Sequence, residues 1–344
     1  MSHALDDPLT DGREAASRHA WREAYDLLAA AAASGDLTPD DLTALAEAAW
    51  WSGRLDEAIE HRERAYAGYS DAGERKRAAM VALALFQDFM GKGSASSGNG
   101  WFGRAERLLE DEPDSVEQGH LSLARTFRAA VMGNLPAAIV AADAAYESGG
   151  RYGDRDLQGM ALVLKGHALV MSGEVSKGLA LLDEATAAAV SGELDPMSTG
   201  LIYCCTIASC QSVGDYGRAA EWTVEANRWC DRLDLKGFPG ACRVHRAELL
   251  RLKGDWPQAE EQAIQACEEL QDFEVSVTAA GFYEIGEIRR RRGDFAAAEE
   301  AYRKANELGR PPQPGLALLR LEQGKVGAAA AAIRRTLGED LDPL

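Results

Sequence analysis

The sequence predicts an all-α protein, a right-handed α-solenoid of about eight helical hairpins. Three stretches place glycine and aspartate before an aromatic residue, at Val213–Tyr216, Lys253–Trp256 and Arg292–Phe295. Glycines in the same register recur every 39 to 41 residues, and once more after 31 residues. These glycines are Gly53, Gly93, Gly133, Gly173, Gly214, Gly254, Gly293 and Gly324. A period of this length is typical of helical repeat arrays, and no β-rich segment interrupts it.

Each register glycine is predicted to close the first helix of a hairpin in the left-handed conformation. The aspartate then caps the second helix, and the aromatic residue starts its buried face. Small residues follow five positions after each glycine, at Ala58, Gly98, Ala138, Gly178, Ala219, Ala259, Ala298 and Ala329. Alanine follows twelve positions after, except at Thr336. Small side chains allow close helix packing, so a bulky residue at Ala219 or Ala259 should unfold the array locally.

The N-terminal part begins with polar residues 1–11, which we expect to be disordered or frayed. A helix is predicted from about Gly12 to Ser34, although His19 occupies a bend position 34 residues before Gly53. Thr38 caps the next helix, which has proline in its first turn. An apolar helical face follows over residues 74–90.

The stretch Gly91–Gly100 is the one irregular segment, and it is predicted to be a flexible loop that replaces a bend. Its glycine spacing resembles that of a phosphate-binding loop. However, Asn99 and Gly100 stand where such loops need lysine and serine or threonine. Later hairpins are regular and are joined by glycine- or proline-bearing connections, including Gly237–Gly240. A single repeat domain is expected over residues 12–337, followed by a tail over 338–344.

The composition is acidic, because 37 Lys and Arg residues face 55 Asp and Glu residues for a net charge of −18. Such a field repels phosphate backbones and anionic membranes, so direct nucleic-acid or membrane binding by this chain is not expected. No apolar run approaches a membrane span, and no leader pattern is present. A soluble, cytoplasmic protein is predicted.

The six cysteines all lie between Cys204 and Cys267, and none forms a Cys-x-x-Cys pair. We expect reduced, mostly buried thiols and no resident metal or cofactor. A zinc or redox site that includes Cys242 and His245 is a less favoured alternative. The run Arg289–Arg292 occupies the last turn of a helix, where cations offset the helix dipole, and indicates a solvated helix end.

An enzyme is not predicted, because the histidines are scattered over different repeats and no nucleophile motif accompanies them. The expected binding surface is instead the concave groove lined by the first helix of each hairpin. Its exposed positions should lie ten, six and three residues before each bend. They are Glu47, Trp50, Leu83, Gln87, Met90, Leu123, Phe127, His167, Cys204, Gln211, Glu248, Arg251, Tyr283, Glu287 and Arg290. The mixture of aromatic, amide and charged groups suits a partner, and packing against the next repeat is the equal alternative for each residue.

The pattern of glycine, aspartate, an aromatic residue and spaced alanines resembles tetratricopeptide repeats. Gly166 and Gly286, each seven residues before a bend, fit the small position of that repeat. Four stretches are more specifically similar to the repeat regions of large actinobacterial LuxR-type regulators, related to the maltose-regulon activator. They are residues 49–58, 101–109, 282–288 and 312–321.

This resemblance implies a sensor or signalling arm within transcriptional regulation. In that family a helix-turn-helix domain follows the repeats, whereas this sequence stops at Leu344. It is therefore expected to be a piece of a longer regulator or a stand-alone relative. The leading functional hypothesis is a non-catalytic scaffold for a protein or peptide partner. The alternative is a sensor that encloses a small-molecule effector, and the apolar end hairpins also allow homo-oligomers.

Overall fold

The computed structural model describes residues 7–232 and 241–338, and its helices group in two compact units. The first unit contains α1 (Pro8–Ser17), α2 (Trp21–Ser34), α3 (Pro39–Trp51), α4 (Leu55–Asp71), α5 (Arg75–Gly91), α6 (Ala95–Leu109), α7 (Val116–Val131), α8 (Leu135–Tyr152), α9 (Arg155–Met171), α10 (Val175–Ser191), α11 (Pro196–Ser212) and α12 (Tyr216–Arg232). The second contains α13 (Ala241–Lys253), α14 (Trp256–Leu270), α15 (Val275–Arg291), α16 (Phe295–Glu307), α17 (Gly315–Glu322) and α18 (Val326–Leu337).

The predicted all-α repeat fold is confirmed, since every regular element of the described residues is a helix and consecutive helices pair as hairpins. Within each unit the first helices of neighbouring hairpins also touch. Helix α7 contacts α9 in the first unit, and α13 contacts α15 in the second. The single domain over 12–337 stays a prediction. Residues 1–6, the connection Gly237–Gly240 and the tail beyond 338 lie outside the described residues. Among the described helices, none combines the length and the apolarity needed to cross a membrane.

The bends follow the predicted register at all eight glycines, whose φ angles lie between +73° and +92°. At Gly293 the backbone N–H donates to the Arg290 carbonyl, and the Asp294 N–H donates to that of Arg289, each at 3.0 Å. This pair of bonds satisfies the last carbonyls of α15. The Asp294 side chain then accepts from the Ala297 N–H at 3.2 Å and caps α16. The glycine bend recurs at every corner, but the residues after Gly53, Gly93, Gly173 and Gly324 make no side-chain cap.

The first hairpin corrects the prediction of one helix from Gly12 to Ser34. The helices α1 and α2 are separated by a bend at His19, whose φ is +58°. The Ala20 N–H donates to the Ala15 carbonyl at 2.9 Å, the same bond that follows the glycine in later bends. Histidine tolerates this region better than most side chains, so the bend forms without glycine. Helix α1 also begins at Pro8, four residues before the predicted start.

The flexible loop predicted over Gly91–Gly100 is also wrong, because the chain turns tightly at Gly93 and α6 begins at Ala95. A Cβ atom added at Gly98 would lie 3.1 Å from Met90 Sδ and 3.2 Å from the Phe86 carbonyl oxygen. Close packing of α6 on α5 at this point outweighs the poor helix propensity of its glycines.

The cores are thin layers of alanine around a few large side chains. Around α5 and α6, Phe86 and Phe102 pack with ring centroids 5.4 Å apart beside buried Ala105. In the second unit, Tyr283 and Tyr302 pack around Ala298 in the same way. Burying each of these rings stabilises the fold by about 1.5–3 kcal/mol.

Candidate functional site

The first unit contains a cavity of about 310 Å³, bounded by α2, α3, α4 and α5 on one side and by the start of α11 on the other. We call it the α3 cavity. It is lined by His19, Trp21, Thr43, Glu47, Trp51, Arg62, Met80, Val81, Ala84, Asp195, Pro196 and Met197. Hairpins that are far apart in sequence thus share one recess within the unit.

Helix α3 supplies the centre of this recess. Thr43, Glu47 and Trp51 are spaced by four residues, which places them on one face of the helix. The opposite wall is the first turn of α11, where Asp195 is the N-cap residue. Its carboxylate accepts from the Ser198 N–H at 2.9 Å and from the Ser198 hydroxyl at 3.0 Å. Capping thereby fixes the position of this wall.

Two indole rings form the apolar part of the cavity. Trp21 and Trp51 stack with centroids 5.4 Å apart and planes 4° from parallel. Trp21 begins α2 directly after the His19 bend and is only 8% exposed. Its indole N–H finds no acceptor among the residues that the structure describes. This nitrogen is inaccessible to solvent, so the unsatisfied donor is a local cost to the fold.

The charges of the cavity are mostly negative. Glu47 forms no ion pair with any described residue, and burial raises the pKa of its carboxyl group. Solvent reaches this side chain, but protein surrounds it on most sides because it lies in a recess. Among the described lining residues Arg62 is the cation; its guanidinium hydrogen-bonds to the buried carboxylate of Asp88, and its charge also lowers the pKa of Glu47. Asp195 adds a second carboxylate on the opposite wall of the cavity.

Behind Asp195 lies a second acid, Asp156 of α9. Its Oδ1 accepts from the Asp195 backbone N–H at 2.8 Å. Burial, together with a hydrogen bond between the two carboxyl groups, raises the pKa of Asp156 to about 6. This wall of the cavity is therefore acidic and gains charge as the pH rises through about 6.

Of the predicted groove residues, the structure brings only Glu47 into the α3 cavity. Gln87 is exposed on α5, and Phe127 is 38% exposed on α7 with its ring 6.1 Å from that of Phe86. Trp50 is half-buried, with its ring edge-on to Trp51 at 5.3 Å. Leu83, Met90 and Leu123 instead pack in or against the cores between hairpins.

The predicted residues of α9 and α11 lie on two helices that contact each other. The His167 Nδ1 atom lies 2.9 Å from Ser209 Oγ, and burial lowers the pKa of this histidine. Gln211 is buried and Cys204 half-buried on α11. These residues do not line the cavity, and contacts between the first helices of neighbouring hairpins cover much of their surface.

In the second unit, most of the predicted groove residues are structural. Arg251, Tyr283, Glu287 and Arg290 are buried, and Glu248 lies 3.6 Å from Arg251. They were expected on an exposed face, but α15 is covered by its neighbours α13 and α17.

A buried network of ion pairs holds these helices of the second unit together. Arg251 Nε donates to Glu284 Oε2 at 2.6 Å. Glu287 accepts from the Tyr302 hydroxyl at 2.7 Å and from Arg290 Nη2 at 3.2 Å. These groups bind one another, and their burial leaves little room for a partner.

The run Arg289–Arg292 is neutralised within the second unit. Arg289 and Arg292 both donate to Glu260, at 2.7 and 2.6 Å, while Arg290 and Arg291 bind Glu287. Four consecutive residues point to different sides of α15, so they do not form one basic surface.

The cysteine cluster shows the properties of packed thiols. Burial raises the pKa of Cys205 and Cys267 to about 12 and that of Cys210 to about 11. Burial also lowers the pKa of His245 to about 4. Thiols with raised pKa values are poor nucleophiles at neutral pH. Within residues 7–232 and 241–338, no three or more His, Cys, Asp or Glu side chains are grouped so as to hold a metal ion.

Several residues of the α3 cavity were not predicted as site residues from the sequence. Trp51 lies four residues after Glu47, and this helical spacing was a usable signal. Trp21 occupies the aromatic position after a bend, which by itself indicates only core packing. Arg62 and Asp195 come from a second helix and from a distant hairpin, so no local pattern connects them to Glu47.

Comparisons with known proteins show the fold. No protein-family model and no curated protein matches the chain. A Rap protein complexed with competence and sporulation factor aligns with a TM-score of 0.55 at 13% identity, covering 96% of each chain. Human IFIT1, solved as a dimer with m7Gppp-AAAA, aligns with a TM-score of 0.51 at 12% identity, covering 97% of this chain and 74% of that one.

A STAND (signal transduction ATPase with numerous domains) protein from Pyrococcus horikoshii, with a tetratricopeptide repeat sensor, aligns with a TM-score of 0.46 at 16% identity. The alignment covers 83% of this chain, which spans only 43% of the length of that protein. At these identities the alignments with the Rap protein and IFIT1, both with TM-scores above 0.5, show the fold alone and leave function to the chemistry of the site.

Proposed function

We propose that this chain is a non-catalytic binding module that holds a protein or peptide partner at the α3 cavity. The observation that carries the proposal is the combination, in one recess, of stacked indoles and the carboxylate of Glu47, which forms no ion pair with any described residue. Large apolar groups with a few convergent polar groups are typical of recognition sites. A solved protein of similar fold, the Rap protein, was crystallised with competence and sporulation factor, which supports this use of the fold.

The lining residues also favour binding over catalysis. Thr43 carries the one hydroxyl among the described lining residues, and it donates to the Pro39 carbonyl at 2.9 Å. A nucleophilic hydroxyl needs a neighbouring base to take its proton, and this one is already bound to the backbone. The remaining lining groups are suited to contact and charge recognition.

Selection of a random peptide display library on the full chain tests the proposal. Peptides that are enriched should bind the Ala84→Phe variant at least tenfold more weakly, because the added ring fills the cavity. The control is Ala67→Phe on the exposed face of α4, which should bind as the unmodified chain does. Failure to enrich any peptide, or equal binding by both variants, would contradict the proposal.

A small-molecule effector is the second candidate, and the closure of the recess by α11 favours it. A volume of about 310 Å³ lies near the lower end of the range of small-ligand sites. A metabolite library should then contain a compound that raises the melting temperature of the unmodified chain and leaves Ala84→Phe unchanged. If no compound shifts the melting temperature, the peptide proposal remains as the sole candidate.

We also propose that the module acts within transcriptional regulation. The similarity of residues 49–58 and 312–321 to repeat regions of LuxR-type regulators supports this proposal. In a host that encodes the chain, deletion of its gene should change the expression of a defined set of genes, and Ala84→Phe should reproduce that change. A transcript profile unaffected by the deletion would refute the regulatory role.

A further inference from the structure

We infer that the α3 cavity recognises a basic side chain, lysine or arginine, in a partner peptide, with Glu47 as the group that binds the cation. This inference rests on the proposed peptide-binding function and names its chemistry. Two features of the cavity carry it: the charge balance and the apolar walls.

The charge balance favours a cation. Glu47 has no ion-pair partner among the described residues, while the guanidinium of Arg62 is bound to Asp88. Asp195 brings a second carboxylate to the opposite wall. An incoming cation would therefore meet two carboxylates and one guanidinium, whose charge is shared between its salt bridge to Asp88 and its attraction to Glu47.

The ionisation of Glu47 gives independent support. Desolvation in the recess raises the pKa of Glu47 by more than the nearby Arg62 and His19 lower it. A bound ammonium or guanidinium group would remove this cost. Glutamate at this position is thus unfavourable in the empty cavity and favourable in the occupied one, which is typical of residues kept for binding.

The walls suit the aliphatic part of a basic side chain. Trp21 and Trp51 form one wall, and Met80 and Met197 contribute flexible apolar surface. Lysine and arginine bury their stems along such surfaces while keeping the charged end near polar groups. Tryptophan also attracts cations that approach its ring within about 6 Å. The volume admits one side chain, so the rest of the peptide must lie outside.

Capped pentapeptides of the form Ala-Ala-X-Ala-Ala test the inference on the full chain. X is lysine, norleucine, arginine, citrulline or glutamate, so that each basic residue has a neutral partner of similar shape. Binding is measured by calorimetric titration. The lysine and arginine peptides should bind about tenfold or more tightly than their neutral partners, a difference that one well-placed cation contact supplies.

Glu47→Gln should abolish this preference while the control Glu60→Gln, on the exposed face of α4, retains it. Glu47→Lys should reverse the preference towards the glutamate peptide, and thermal melts will verify that each variant is folded. Equal binding of basic and neutral peptides, or a preference that survives Glu47→Gln, would overturn the inference. In that case, enriched library peptides that still require an open cavity would leave the proposed function standing.

If none of the pentapeptides binds, the inference also fails. The display-library experiment then decides the fate of the proposed function separately, because it makes no assumption about charge.

Discussion

Gly166 of α9 and Gly178 of α10 bring two helix backbones into direct contact. A Cβ atom added to Gly166 would lie 2.9 Å from the Gly178 carbonyl oxygen, and one added to Gly178 would lie 2.6 Å from that of Gly166. Backbone atoms cannot rotate away as side chains can. The two glycines are therefore required together, and they set the spacing of the fifth hairpin.

Gly166→Ala should accordingly destabilise the first unit by about 1–3 kcal/mol, the usual cost of overpacking a close contact. The matched control is Gly100→Ala in α6, where an added Cβ meets no atom within 4 Å. Alanine there should stabilise the helix by about 0.5–1 kcal/mol. Urea unfolding of both variants gives the comparison. Equal and favourable effects at the two sites would disprove the close contact.

The small residue five positions after each bend glycine predicts that two alanines of α16 differ in how well they tolerate a larger side chain. Ala298 is fully buried between Tyr283 and Tyr302, whereas Ala296 is exposed in the same turn of α16. Ala298→Leu should destabilise the second unit by about 1–3 kcal/mol, because the added atoms have no free volume. Ala296→Leu should change stability by less than about 0.5 kcal/mol. Thermal melts that rank the two variants the other way would contradict the register.

The corners of the fold were predictable because their determinants are local. A glycine in the left-handed region and an aspartate cap lie within two residues of each other, as at Gly293 and Asp294, so a short pattern identifies them. His19 was placed at a bend position, but one helix was still predicted across it, because residues other than glycine are uncommon in the left-handed region. The prediction of a loop at Gly91–Gly100 was wrong because helix propensity does not account for tertiary contacts such as the packing of Gly98 against Met90.

The candidate site was less predictable for the same reason. Glu47 was found from its position before the Gly53 bend, but its neighbours come from α2, α4 and the start of α11. Burial of Glu287 and Arg290 was missed because their pattern on α15 also fits an exposed groove. Only the contacts of α15 with α13 and α17 decide between the two.

The pair of acids at the cavity wall predicts a pH dependence. The folded-state pKa of Asp156 is raised to about 6 from an ordinary value of 3.8. The stabilisation that its bound proton provides is therefore fully present below pH 3.8 and is lost as the pH rises through about 6. Asp156→Asn keeps a donor for Asp195 at every pH.

At pH 7.5 this variant should be more stable than the unmodified chain by about 1 kcal/mol, a figure reduced for partial solvent screening. At pH 3.8 the two should be equal. Urea midpoints at several pH values between these limits measure the difference. A gap that does not change with pH would show that the two carboxyl groups do not share a proton.

The ionised carboxylate of Glu287 predicts a second pH dependence of stability, in the second unit. Burial alone would raise its pKa, but hydrogen bonds from Arg291, Tyr302 and Arg290 lower it to about 2. The stability that this ionised carboxylate provides is thus present above pH 4.5 and is lost as the pH falls towards 2. Glu287→Gln keeps the shape but removes the charge, which leaves the buried guanidinium of Arg290 less compensated.

Because breaking one side of a buried ion pair typically costs about 3–5 kcal/mol, Glu287→Gln should destabilise the second unit by roughly this amount at pH 7. Tyr302→Phe, which removes one hydrogen bond from the same carboxylate, should cost about 1–3 kcal/mol. Hydrogen exchange of the α15 amides localises both effects. The gap between Glu287→Gln and the unmodified chain should narrow as the pH falls from 4.5 towards 2. A gap independent of acidity would mean that Glu287 contributes through its shape and not through its charge.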